Sequence, residues 1–136
     1  MDGGTPTKVT EASAFVVQVS PDGRLLAYAG LDAKTNSERL AVLRFDDLAP
    51  VKTFDLPVTA RSLFRWSPNS RAIVFVDRRG DVSNLWRLPL DGGAPAQITD
   101  FKTDAIHTFA YSRDGKQIAL SRGNMTLDAL MISEEK

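Results

Sequence analysis

His107 is the only histidine in the chain, and Asp104 lies three residues before it. Imidazole and carboxylate together could take a ligand, a metal or a proton. One imidazole without partners makes a poor metal site, and the plainer reading of His107 is a structural or solvated side chain. The nucleophile signatures are absent. There is no G-x-S-x-G turn, and Ser133-Glu134-Glu135-Lys136 matches S-x-x-K by letter without its partner motifs. There is no G-x-G-x-x-G, no Walker A and no H-E-x-x-H. Asp77-Arg78-Arg79-Gly80-Asp81 carries carboxylates without the spacing of a calcium loop and reads as a solvated loop between strands. Cysteine is absent, which removes disulfides and thiolate metal sites. Asn124-Met125-Thr126 is a formal glycosylation sequon. These residues give no catalytic set and call for no cofactor and no metal.

Composition narrows the partners. Seventeen Lys and Arg balance seventeen Asp and Glu in 136 residues, so no net field points to nucleic acid or to an anionic membrane. A hydrophobic content of 43% is enough to build a core. No apolar run approaches about 18 residues, and the opening residues lack the basic and apolar regions of a signal peptide. The compartment stays open: cytoplasmic, or an extracytoplasmic part of a longer protein.

Any chemistry must be positioned by the repeated elements of the chain. Asp91–Asp100 reads DGGAPAQITD, Asp2–Glu11 reads DGGTPTKVTE, and Asp46–Asp55 reads DDLAPVKTFD. The copies start at 2, 46 and 91, a period in the range of a propeller blade. A second feature fixes the register. Ser20-Pro21-Asp22-Gly23-Arg24 returns as Ser67-Pro68-Asn69-Ser70-Arg71 and as Ser112-Arg113-Asp114-Gly115-Lys116, and each copy carries tight-turn chemistry. Short runs rich in β-branched and aromatic residues flank each turn and read as strands. Strand A covers 15–19, 63–66 and 108–111. Strand B covers 25–29, 72–76 and 117–120. Strand C covers 40–45, 85–90 and 129–133, and Pro89 in the second of these removes a ladder donor. The repeated element supplies strand D at 7–10, 52–56 and 96–99. Within strand A, Val17, Phe64 and Phe109 coincide, as do Val19, Trp66 and Tyr111, and the period of two puts them on one face where neighbouring units stack. No convincing amphipathic helix is visible.

Four short antiparallel strands per unit of about 45 residues describe a β-propeller blade. The sequence is expected to be all-β, with a strand at 2–11 and blades at about 14–56, 61–100 and 106–133. The runs Phe64-Arg65-Trp66-Ser67-Pro68-Asn69, Ile73-Val74-Phe75, Asn84-Leu85-Trp86, Leu90-Asp91-Gly92-Gly93 and Gln97-Ile98-Thr99-Asp100 resemble the TolB-like, WD-repeat-like β-propeller repeats of bacteria. Ser112–Ser133 is similar to the closing blade of the C-terminal propellers of bacterial serine/threonine kinases. The resemblance implies a ring, commonly of six blades, that binds proteins or senses ligands, and it transfers no catalytic residue. In such a ring strand A is innermost, so His107 and Asp104 would face a central channel. The D–A and B–C loops would share one face, bearing Arg61, Arg78 and Arg79 with Lys34, Arg39, Lys102 and Arg122 beside Asp32, Asp77 and Asp81. A mixed-charge loop face suits a protein or peptide.

Three blades cannot surround a channel, because known rings use about 4–8. The third repeat ends at strand C, and Thr7, Lys8, Val9 and Thr10 carry the sequence of its missing fourth strand. The expectation is a homodimer that forms one six-bladed ring by exchanging this strand head to tail. A homotrimer would give nine blades, outside that range. The functional expectation is a non-enzymatic scaffold for a protein, peptide or ligand. The alternatives are a propeller hydrolase or lactonase with a channel metal, and a propeller fragment with no function of its own.

Overall fold

A computed structural model of the chain describes residues 4–6, 8, 13–55, 63–123 and 128–133. Among these the structure is all-β, with eleven strands and no helix. The strands are β1 Ser13–Val19, β2 Leu25–Leu31, β3 Glu38–Arg44, β4 Pro50–Asp55, β5 Phe64–Trp66, β6 Ala72–Arg79, β7 Val82–Pro89, β8 Ala96–Gln97, β9 Ala105–Tyr111, β10 Gln117–Gly123 and β11 Asp128–Ser133. They form three antiparallel meanders, β1-β2-β3-β4, β5-β6-β7-β8 and β9-β10-β11, termed sheets 1, 2 and 3. No described helix is long and apolar enough to cross a membrane.

The repeated serine turn builds each β1–β2-type hairpin in the same way. Ser20 donates its hydroxyl to Asp22 Oδ1 at 2.6 Å and accepts the Leu25 amide at 3.0 Å, while Asp22 Oδ1 also accepts the Arg24 amide. Ser67 with Asn69 and Ala72, and Ser112 with Asp114 and Gln117, make the same bonds. The fourth turn position has positive φ, filled by Gly23, Ser70 and Gly115. A serine at the first position and an Asx two residues later are thus a covalent record of one hydrogen-bond pattern, in which a side chain closes what the backbone ladder leaves open.

The alternation of side chains stacks the sheets. Between sheets 1 and 2, Ala27, Ala29, Leu40 and Val42 meet Phe64, Trp66, Ile73, Phe75 and Leu88. Between sheets 2 and 3, Val74, Val76 and Leu85 meet Ile106, Phe109, Ile118 and Leu120. Phe64 and Phe109 are fully buried, which contributes about 2–3 kcal/mol each. Polar bonds fix the stacking register: Trp66 Nε1 donates to Gln18 O, Gln18 Nε2 to Phe64 O, and the Asp22 amide to Ser70 Oγ.

The observed strands depart from the sequence expectation in two informative places. Asp77–Arg79 is strand rather than solvated loop. β6 and β7 run to a two-residue turn, Gly80-Asp81, where Gly80 takes φ 63°, so Arg79 pairs with Val82. Strand D of sheet 2 stops at Gln97 instead of Thr99. The Thr99 hydroxyl replaces the ladder there: it accepts the Leu85 amide at 2.9 Å and donates to Asn84 Oδ1 at 2.8 Å, and Asn84 Oδ1 also accepts the Phe101 amide.

Candidate interaction faces

The two outer sheets present apolar surface that the central sheet does not. Among the described residues the exposed large hydrophobic side chains are Phe15, Val17, Val19, Phe45 and Val51 of sheet 1 and its loops and Leu130 and Met131 of sheet 3. Their repeat equivalents explain them. Val17 and Val19 occupy the positions of Phe64 and Trp66, which are 0% and 6% exposed against sheet 1, yet they are themselves 53% and 46% exposed. Sequence alternation identifies the stacking face of every strand A, but the missing neighbour of sheet 1 is visible only in three dimensions. Met131, 65% exposed, pairs with Ala119 on the far face of sheet 3, as Val42 pairs with Ala27 on the face of sheet 1 that carries sheet 2. One outer face therefore has the character of the surface that sits on a sheet, and the other that of the surface sat upon.

The second candidate is the loop face. Arg78 and Arg79 end β6. Arg79 Nε reaches Asp77 at 3.0 Å and its guanidinium lies over Trp86, while Arg78 approaches Asp81 at 3.6 Å. Asp104 has φ 68° and its carbonyl accepts the Ser83 amide, which ties the loop before β9 to the β6–β7 hairpin. Its carboxylate lies 3.7 Å from Arg122, whose guanidinium stacks on Phe101 and donates to Thr103 O. His107 Nε2 donates to Gly123 O at 2.9 Å, a bond across β9 and β10 within sheet 3. Asp104, Arg78 and Arg79 are thus brought to one loop cluster, whereas His107 is engaged with its own sheet. Among the described residues no three His, Asp or Glu are grouped as a metal would require. Arg61, Thr7, Val9 and Thr10 lie outside the described residues; Lys8 is exposed and is in no strand.

A third feature is a cleft of about 1100 Å³ between sheets 2 and 3, lined by Arg71, Arg87, Asp91, Asp114, Lys116 and Ser133 among others. It runs beside the last residue of β11.

The architecture has solved counterparts. The chain superposes on TolB from Acinetobacter baumannii with a TM-score of 0.72, over 97% of this chain and 33% of that one, at 14% identity. It superposes on the β-propeller domain of the Trilobed protease from Pyrococcus furiosus with a TM-score of 0.59, over 81% of this chain and 33% of that one, at 19% identity. The fold is that of a TolB-like β-propeller. The three sheets are accordingly blades, and the A strands β1, β5 and β9 their corresponding edges. In sequence, 91 residues are 32% identical to dipeptidyl-peptidase 5 of Porphyromonas gingivalis, covering 62% of this chain and 13% of the peptidase. No protein-family model matches. The chain spans about an eighth of that peptidase and a third of each of the two solved propellers.

Proposed function

We propose that the chain is a non-enzymatic propeller scaffold whose loop face binds a protein or peptide, and whose ring is completed by a second copy. The observation that carries this reading is the confinement of exposed large apolar side chains, among the described residues, to the two outer blades. Exposed apolar side chains that share one face of an outer strand, as Val17 and Val19 of β1 do, mark an interaction site. Two copies joined head to tail would cover both faces at two identical seams and give six blades, within the usual range. The mixed charges around Asp104, Arg78 and Arg79 then lie on a rim of the ring, with the electrostatic variety that recognises a polar partner. Light scattering on the purified chain tests the assembly. A mass twice the 14.9 kDa of one chain is expected, and a stable monomer across micromolar concentrations would overturn it.

The likeness to dipeptidyl-peptidase 5 favours a second reading, in which the chain is a propeller segment of a peptidase. The same mass measurement separates the two: a segment whose outer blades pack on further blades of its own longer chain has no self-complementary seam and is expected to stay monomeric in isolation, where the scaffold reading expects a dimer.

A further inference from the structure

We infer that the cleft between sheets 2 and 3 binds an acidic peptide of a partner protein, with Arg71, Arg87 and Lys116 as its carboxylate partners. The cleft opens at the serine-turn end of the sheets, away from the loop face, and one chain supplies all of its walls. The site therefore stands whether or not a second copy completes a ring.

The other seam of the same chain is the internal control. Val42 pairs with Ala27 as Arg87 pairs with Val74, and residues 27 and 74 stand at the same distance from their serines. Position 87 is thus the counterpart of position 42. Val42 is 0% exposed and packs in the cluster between sheets 1 and 2. Arg87 shares the face of Val74, which belongs to the cluster between sheets 2 and 3, so it enters the corresponding space with a guanidinium whose Nε is withdrawn from solvent. The fourth strand differs in the opposite sense. Val42 pairs with Lys52 and Arg87 with Ala96. Lys52 reaches across the first seam, where its Nζ lies 3.4 Å from the point a Cβ on Gly92 would occupy, while Ala96 is exposed and too short to cross the second. The turns differ too. The Asp22 amide donates to Ser70 Oγ across the first seam, and Gly115, the counterpart of Ser70, has no hydroxyl to repeat that bond. One repeat pattern therefore gives a seam filled by valine and spanned by lysine, and a second seam that holds an arginine and an open cleft.

The lining selects the ligand. Three cations, Arg71, Arg87 and Lys116, face two carboxylates, Asp91 and Asp114. Both carboxylates cap their own turns: Asp91 accepts the Gly93 amide, and Asp114 accepts the Ser112 hydroxyl and the Lys116 amide. The excess charge is positive, and two guanidinium forks favour carboxylates taken in bidentate fashion. A volume of about 1100 Å³ lies at the upper end of what small-molecule sites use, and Pro68, Pro89 and Ala72 add apolar wall between the charges. An extended chain with acidic side chains fits both properties, as in acidic-motif recognition by arginine clusters.

Fluorescence anisotropy on the full chain tests the site, with a fluorescein-labelled peptide of alternating glutamate and alanine as probe. Saturable binding is expected, and the same peptide with glutamine for glutamate is expected to bind at least about tenfold more weakly. Arg87→Met, which keeps an apolar stem, is expected to weaken binding about tenfold, and Lys116→Met about threefold. Arg24→Met makes the same charge change in the turn of sheet 1 and is expected to leave the affinity within about twofold. The pair Arg87→Val with Ala96→Lys installs the residues of the first seam in the second. It is expected to abolish peptide binding with a urea midpoint no lower than the parent's, which separates loss of the site from loss of the fold. Peptide affinity unchanged by Arg87→Met and by the paired variant overturns the site. Loss of binding in Arg79→Met, with Arg87→Met silent, overturns it in favour of the loop face. Binding of inorganic phosphate with the glutamate peptide inert overturns the peptide in favour of a small anion. A monomer by light scattering that binds the peptide upholds the cleft and removes the ring.

Discussion

At the scale of single residues, the chain uses its polar side chains as backbone substitutes. Asp22 and Asp114 each accept a serine hydroxyl first and a backbone amide second, and these bonds hold both carboxyls below their ordinary value of 3.8. A depressed native value means that the unfolded state takes up protons first as pH falls. The stabilisation is therefore complete above about pH 5 and is lost as pH drops through 3.8 toward the lowered native values. The second turn has Asn69 in the same position and contributes no such dependence. Replacing Asp22 and Asp114 by Asn is thus expected to flatten the loss of stability between about pH 5 and pH 2, measured as urea midpoints across that range. The serine–Asx pairs were legible in the sequence as turns. The Thr99–Asn84 lock was not, because it joins residues from different strands whose register only the folded sheet reveals. His107 was legible as the lone imidazole, and its engagement with Gly123 O depends on β9 starting at Ala105, earlier than the apolar pattern suggests.

At the scale of elements, the repeat gave away strand order and number far better than strand length. Alternation of apolar residues marks the part of a strand that touches a neighbouring blade. The polar extensions, such as Asp77–Arg79 of β6, pair through their backbones and leave no such mark. The turns, identical in sequence pattern, differ in what surrounds them. Gly23 and Gly115 both have φ 74°, but a Cβ at Gly23 would meet open space, whereas one at Gly115 would lie 2.7 Å from Pro68 Cβ in the adjacent blade. Gly23→Ala is expected to cost about 1 kcal/mol from backbone strain alone. Gly115→Ala is expected to cost about 2–4 kcal/mol, because the strain is joined by a clash between blades. Chemical denaturation of the two variants measures the difference. Equal losses would mean that the turns do not pack on one another.

At the scale of the whole molecule, three blades make an arc whose inner interfaces are closed and whose outer faces are not. The sequence announced the arc through its period. It did not announce how the exposed apolar area divides between Phe15, Val17 and Val19 at one end and Met131 at the other, which follows from burial against a neighbour. The meander topology has a consequence in time as well as in space. Every described strand pairs only with its neighbour in sequence, so each blade can form by closing hairpins, without a long search for distant partners. The middle blade contributes to both clusters, and its β6–β7 hairpin joins the longest strands by a two-residue turn. The middle blade is accordingly expected to be where folding commits, with the flanks condensing onto it. Ile73 and Ile118 are equivalent, fully buried residues of the middle and last blades. Stopped-flow kinetics should show Ile73→Val slowing refolding and Ile118→Val mainly hastening unfolding, each for a stability loss of about 1 kcal/mol. The reverse pattern would place the nucleus at the C-terminal end. A chain that nucleates at its centre has both outer faces still bare when the arc first forms, so in the proposed ring capture of a second copy would be the last kinetic event, at a rate that rises with protein concentration.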